Sequence, residues 1–179
     1  MSDNGIAIGD TAPDTTLPGT DGSEHRVGEG DGSAATVVYW TCNHCPYALA
    51  WEDRVHDVSR DYADRGVRVL AINSNNVVTH PADSFEAMAD RVEREGGWPH
   101  PYLHDESQAT AHAYGAKTTT DVFVFDRDLR LRYRGAPDAD YDDPGQEAAW
   151  LRAALDAVLE GSEPEIAETR PVGCGVKWK

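Results

Sequence analysis

The sequence predicts an α/β fold: a central mixed sheet flanked by helices, with an N-terminal β extension and an irregular C-terminal tail. Three observations predict it. An apolar run, Ala34–Trp40, leads through a cysteine pair into a helical segment that opens at Pro46. A second run, Val67–Asn73, follows that helix, and a strand–helix–strand unit of this kind makes its strands parallel. Two later runs, Asp121–Asp126 and Leu129–Arg134, flank the turn Arg127-Asp128 and pair antiparallel.

From the N-terminus, Ile6–Pro18 alternates short apolar stretches with Gly and Pro, which reads as short strands and turns. Thr20–Ser23 is a hairpin turn, and Gly28–Ser33 a glycine- and acid-rich loop. In the main strand, Val37, Val38, Tyr39 and Trp40 are β-branched or aromatic and carry no charge. Pro46 suits a first helical turn, where its missing N–H has no partner to lose. That helix extends to Ala63, and Ser74–Asn76 closes the next strand as a polar loop. Pro81–Glu95 has helical periodicity, with Phe85, Met88, Ala89 and Val92 on one face, and stops at Gly96-Gly97. Pro99–His104 is extended, and Ser107–Tyr114 is a short helix ended by Gly115. After the hairpin comes an acidic loop, Asp138–Pro144. A last helix, Gln146–Leu159, turns Trp150, Leu151, Ala154, Leu155 and Val158 inward. We divide the chain into an extension (1–33), a core (34–160) and a tail (161–179) within one domain.

With 179 residues the chain can bury a substantial core. No apolar run is long enough to span a bilayer. Met1–Gly5 lacks the basic and apolar regions of a signal peptide, so a cytoplasmic location is expected, where a cysteine pair is more often catalytic than structural. Acidic residues outnumber basic ones 32 to 16, giving a net charge of -16, and the acids are dispersed. Lysine is confined to Lys117, Lys177 and Lys179. This composition resembles that of proteins from salt-loving organisms. It argues against nucleic acid and membrane surfaces as partners.

The chemistry centres on Cys42-Asn43-His44-Cys45. A thiolate at a helix N-terminus faces unpaired N–H groups and the positive end of the dipole, which lower its pKa. Cys42 is therefore expected to be the more acidic, attacking thiol, and Cys45 to resolve the mixed disulfide. Half of a zinc site is the first alternative. It would need a second ligand pair, and the only other cysteine is Cys174, while His44, His56, His80, His100, His104 and His112 show no paired spacing. Two inert core cysteines are the second alternative. No cofactor and no metal are expected. His44, if protonated, would stabilise the Cys42 thiolate. Glu52 lies two helical turns after Cys45 and reads as a solvated surface carboxylate. Cys174, between Gly173 and Gly175, is either a mobile tail thiol able to reach Cys42 or a packing residue.

Gly9–Asp14, Cys42–Tyr47, Glu52-Asp53-Arg54, Ala71–Asn75, Asp121–Asp126, Tyr133-Arg134-Gly135 and Gly173-Cys174 carry a family resemblance across nearly the whole chain. The sequence resembles the peroxiredoxin-like group of the thioredoxin superfamily, within the alkyl hydroperoxide reductase/thiol-specific antioxidant family. The resemblance implies a thioredoxin-like fold and redox-active cysteines at Cys42 and Cys45. It also implies Trp40, His44, Thr119 and Thr120 around the substrate groove. Two features depart from the pattern. The peroxiredoxin Pro-x-x-x-Thr/Ser-x-x-Cys is absent, because Cys45 follows Val38 and Cys42, and Cys42 follows Ala35 and Tyr39. Thr120 stands where the superfamily places a cis-proline, and the bond before it is expected to be trans. Thiol–disulfide exchange with protein or small-molecule disulfides, fed by an unidentified electron donor, therefore ranks first. A thiol peroxidase, with Cys42 or Cys45 peroxidatic and Cys174 resolving, ranks second, and a non-catalytic metal- or partner-binding module third.

Overall fold

The computed structural model describes residues 5–179; Met1–Asn4, part of the amino-terminal signal reading, lie outside them. Strand β1 (Thr15–Pro18) pairs antiparallel with β2 (Glu24–Val27), which makes the expected hairpin. Next come β3 (Ala35–Trp40), helix α1 (Pro46–Tyr62) and β4 (Val67–Asn73). Helix α2 (Phe85–Arg94), β5 (Tyr102–His104) and helix α3 (Ala109–Tyr114) follow. The chain ends its regular structure with β6 (Val122–Asp126), β7 (Leu131–Gly135) and helix α4 (Ala149–Leu159). The main sheet has the order β5-β4-β3-β6-β7. β3, β4 and β5 are parallel, while β6 and β7 run antiparallel to their neighbours.

All six residues of β3 are buried, as its charge-free run requires for a strand covered on both faces. The period of two then sorts the core. Ala35, Val37 and Tyr39 join Val55, Val58, Met88, Leu151 and Leu155 under α1, α2 and α4. Val38 and Trp40 join Leu103, Tyr114, Phe123, Leu17 and Val27 on the other face, under α3 and the hairpin. Full burial of each large apolar chain contributes roughly 1.5–3 kcal/mol, so β3 is the energetic centre of the sheet.

Four details differ from the periodicity reading. Pro81–Glu95 is not one helix: Pro81–Asp83 is a 3-10 turn, and Ser84 caps α2 by accepting from the Ala87 N–H. The break lets Asp83 turn inward, where it is fully buried. Leu129 lies in the turn with φ +59, and β7 starts only at Leu131. Finally, Asp138 is not a solvated acid of a loop. It accepts from the Trp51 indole at 2.7 Å and pairs with Arg54 at 2.9 Å. It also takes the Ala148 N–H at 2.9 Å, so α4 begins at Ala149 rather than Gln146. Among the described residues no helix is long and apolar enough to cross a membrane.

The tail is irregular in hydrogen-bond pattern yet docked along its length. Thr169 N–H donates to the Arg134 carbonyl beside β7. Further on, Thr118 and Gly175 form an antiparallel bridge. Lys177 donates to Asn75 Oδ1, and its own carbonyl accepts from Gln108 and the Asn76 N–H.

Candidate active site

The cysteine pair sits where β3 ends, at the C-terminal edge of the parallel strands, the edge at which open α/β sheets place their sites. Pro46 is the first helical residue, so Cys45 is the N-cap of α1 and Cys42 lies in the loop before it. Both are fully buried, and with Ala48 they form a small cluster closed by Tyr47 and Cys174. All three cysteines are free thiols.

The two sulfurs share a hydrogen bond with opposite effects. Donating it to Cys45, together with burial and the Asp83 carboxylate, pushes the Cys42 thiol up. Receiving it holds Cys45 far down, to about 4, against the opposing effect of burial. Cys174, Thr119 and the Ala48 N–H add to that lowering. Of the paired thiols Cys45 is thus the lowered partner and Cys42 the raised one, whereas the sequence reading places the lower value on Cys42. The reason is one of register: the cap position, with its converging donors, belongs to Cys45.

Asp83 organises the loop. One carboxylate oxygen accepts from the Asn43 N–H at 2.7 Å and Asn73 at 3.0 Å; the other accepts from Asn75 at 3.0 Å and contacts His44 Nδ1 at 2.8 Å. His44 is half-exposed and stacks on His80. Cys42, His44 and Asp83 bring one ligand atom each within 4.8 Å of one another, a metal-capable group that linear spacing did not reveal. A metal held by this group would have to replace the direct His44–Asp83 contact.

Glu52 is a correction. It is buried, its Oε2 accepts from Thr41 Oγ1 at 3.0 Å, and it pairs with Arg91, which also reaches the Cys42 carbonyl oxygen at 3.4 Å. Burial raises its carboxyl to about 7, against the lowering pull of Arg91. Burial lowers Arg91, but Glu52 more than offsets this and leaves it raised. A buried carboxylate behind the pair thus comes from α1 rather than from β3. Its spacing of seven from Cys45, one helical face, was the available signal.

The expected groove residues divide. Trp40 does not line it: strand alternation sends its ring into the core against Tyr114 and Phe123, with its Nε1 on Ser74 Oγ at 3.0 Å. Thr119 and Thr120 do face the cysteines' side. The Thr119 hydroxyl is among the donors that lower Cys45, and Thr120 Oγ1 donates to the Val172 carbonyl. No peptide bond among the described residues is cis, so the bond before Thr120 is trans, as expected.

A profile of the AhpC/TSA family matches residues 8–134. The chain belongs to the AhpC/TSA family. The thiol-disulfide oxidoreductase ResA of Geobacillus thermodenitrificans (strain NG80-2) is 26% identical over 129 residues, 71% of this chain and 68% of its own length. A conserved protein of Geobacillus kaustophilus superposes with a TM-score of 0.90 at 39% identity, covering 97% of this chain and 93% of its own. A candidate thioredoxin of Neisseria meningitidis has a TM-score of 0.68 at 19% identity, covering 88% and 95%, and shows the thioredoxin-like fold.

In this AhpC/TSA protein the third cysteine is brought to the pair: Cys174 packs against the cluster of Cys42, Cys45 and Ala48, and Cys45 is the thiol that acts to raise it. Its position is fixed by backbone pairing: the Thr119 N–H donates to the Cys174 carbonyl at 2.9 Å, and the Val176 N–H to the Lys117 carbonyl at 3.1 Å.

Proposed function

We propose that this AhpC/TSA protein is a thiol–disulfide oxidoreductase whose working pair is Cys42 and Cys45. One observation carries the reading: two buried, hydrogen-bonded thiols at a helix N-cap, with the charge drawn to one of them. The ResA relatives support it. Cys42 attacks a disulfide of a protein or small molecule as its proton passes to Cys45 along their hydrogen bond. A Cys42–substrate bond forms and the first substrate sulfur leaves. Cys45 then attacks Cys42: the Cys42–Cys45 disulfide forms, the Cys42–substrate bond breaks, and the second sulfur leaves with the proton that Cys45 held. An external reductant restores the dithiol. The proposed setting is the cytoplasm.

Insulin reduction with dithiothreitol as electron source tests this. Wild-type protein should accelerate it, and Cys42→Ser and Cys45→Ser should each abolish the acceleration. No acceleration by the wild type would defeat the reading.

A second reading, thiol peroxidase, is favoured by the Thr119 hydroxyl and the Cys174 thiol converging on the charged Cys45. Dithiol-dependent peroxide consumption that survives Cys42→Ser but not Cys45→Ser would put it first.

A further inference from the structure

The tail runs alongside the Thr118–Thr120 loop and over the cysteine pair. Thr118 and Gly175 are bridged antiparallel, and the backbone bonds from Thr119 and Val176 flank that bridge. Thr120 Oγ1 holds the Val172 carbonyl, and a Cβ on Gly173 would collide with that same Oγ1, so glycine is required for the approach. Val176, Lys177 and Trp178 anchor the chain beyond Gly175, through burial of Val176, the Lys177 bond to Asn75 and a stack of Trp178 on His112. Cys42 and Cys45 have no exposed surface, whereas Cys174 is half-buried. The one thiol of the three that solvent reaches is thus packed against the buried Cys42–Cys45 pair.

We propose that Cys174 is a third redox thiol, the entry point through which an external dithiol reductant passes electrons to Cys45 and thence to Cys42. The proposal rests on the oxidoreductase reading of Cys42 and Cys45. In the oxidised protein the Cys174 thiolate attacks Cys45 Sγ. A Cys45–Cys174 bond forms, the Cys42–Cys45 bond breaks, and its electron pair leaves on Cys42. The Cys174 proton goes to solvent, and no oxidant is consumed, because exchange conserves the number of disulfides. A thiolate of the reductant then attacks the accessible Cys174 Sγ, and Cys45 leaves as thiolate. The second reductant thiol closes the reductant's own disulfide and returns Cys174 as a thiolate, which takes a proton.

The surroundings act on each of the three thiols. Burial and the hydrogen bond to Cys45 raise the Cys174 thiol, to about 11, when Cys45 carries charge. Once Cys45 is in a disulfide that charge is gone and only burial opposes the Cys174 thiolate. Conversely, the donors around Cys45 that hold its charge make it a good leaving group, since thiols of lower pKa leave faster. The displaced Cys42 thiolate meets the backbone N–H groups of His44 and Cys45, which lower it, against burial and the Asp83 carboxylate, which raise it and make this the slower exchange.

The test uses diamide as oxidant, dithiothreitol as reductant and peptide mapping under non-reducing conditions. Cys42→Ser, treated with one equivalent of diamide, should form an intramolecular Cys45–Cys174 disulfide. Wild-type protein should show that linkage beside Cys42–Cys45, with Cys42 correspondingly open to alkylation. Oxidised Cys174→Ser should be reduced by dithiothreitol several-fold more slowly than wild type while keeping its Cys42–Cys45 bond. The proposal is overturned if Cys42→Ser keeps two free thiols or links only between molecules. It is also overturned if Cys174→Ser is reduced at the wild-type rate. Either result with a wild type that still forms Cys42–Cys45 and reduces insulin removes the relay and leaves the oxidoreductase reading standing. Absence of both wild-type properties removes that reading itself.

Discussion

Arg91 holds the Cys42 loop and Glu52 together: its Nη1 reaches the Cys42 carbonyl at 3.4 Å and Glu52 Oε2 at 3.2 Å, while Nη2 pairs with Oε1. Both side chains are buried. Glu52→Gln should destabilise the protein by ~1–3 kcal/mol above neutral pH, because it removes one of the two carboxylates on Arg91 and leaves only Glu95, at 2.9 Å from Nε. Glu52→Gln with Arg91→Met should recover much of that loss. Urea unfolding of the three variants measures it, and a loss below ~1 kcal/mol in the single variant would mean a solvated pair.

The charge order of the cysteines gives a second prediction. Ultraviolet thiolate absorbance of the reduced protein should persist well below the ordinary thiol range, reflecting Cys45. Cys45→Ser should remove that low-pH signal, and Cys42→Ser should move it upward in pH without abolishing it, since the first cause of the lowering is gone while Cys174, Thr119 and the Ala48 N–H remain. Loss of the signal in Cys42→Ser alone would restore the order read from the sequence.

Thr120 ties the loop to the tail through Val172, and its hydroxyl also meets Thr118 Oγ1 at 3.1 Å. Thr120→Val keeps the shape and removes the tie. Alkylation of Cys45 in the folded, reduced protein should become several-fold faster. Thr120→Pro should shift insulin turnover as well, because it also removes the Thr120 N–H that contacts Thr118 Oγ1. Unchanged Cys45 labelling in Thr120→Val would show that the backbone bonds alone hold the tail.

The aromatic cluster over α1 sets an acid limit. Burial, first among the causes, lowers His56 to about 4 and His100 to about 3. A depressed pKa in the folded state contributes stability above the unfolded histidine value, about 6.5, that is lost as pH falls toward the folded values. Glu52, with its raised pKa, works oppositely: its contribution is full below the unfolded carboxyl value and is lost as pH rises through about 7. Where the windows overlap, two histidines oppose one carboxyl, so stability should fall on acidification below about 6.5. His56→Phe with His100→Gln should flatten that fall, as read from urea midpoints across pH. His100→Gln retains donors for its partners at Tyr39 and Pro101. A wild type whose midpoint holds steady over that range would refute the argument.

Much of the fold was legible because it is written in local pattern. The charge-free Ala34–Trp40 run, the cysteines after it and Pro46 at the helix start specify β3, the loop and α1 through short-range sterics and burial. The parallel and antiparallel halves of the sheet follow from connection lengths that the chain displays directly. The sequence by itself also named both sulfurs and the loop threonines opposite them. Only tertiary structure brings Thr119 and Cys174, remote in the chain, to Cys45, where they add to the lowering that its neighbour Cys42 begins. Likewise Glu52 is a buried partner rather than a surface acid only because α2 brings Arg91 against it. Asp83 is a loop anchor only because Asn43, Asn73 and Asn75 surround it. Periodicity reports which face of an element is buried; the energy of a charge or a thiol depends on what the other elements place within hydrogen-bond reach, and that is settled when the sheet assembles and the tail docks.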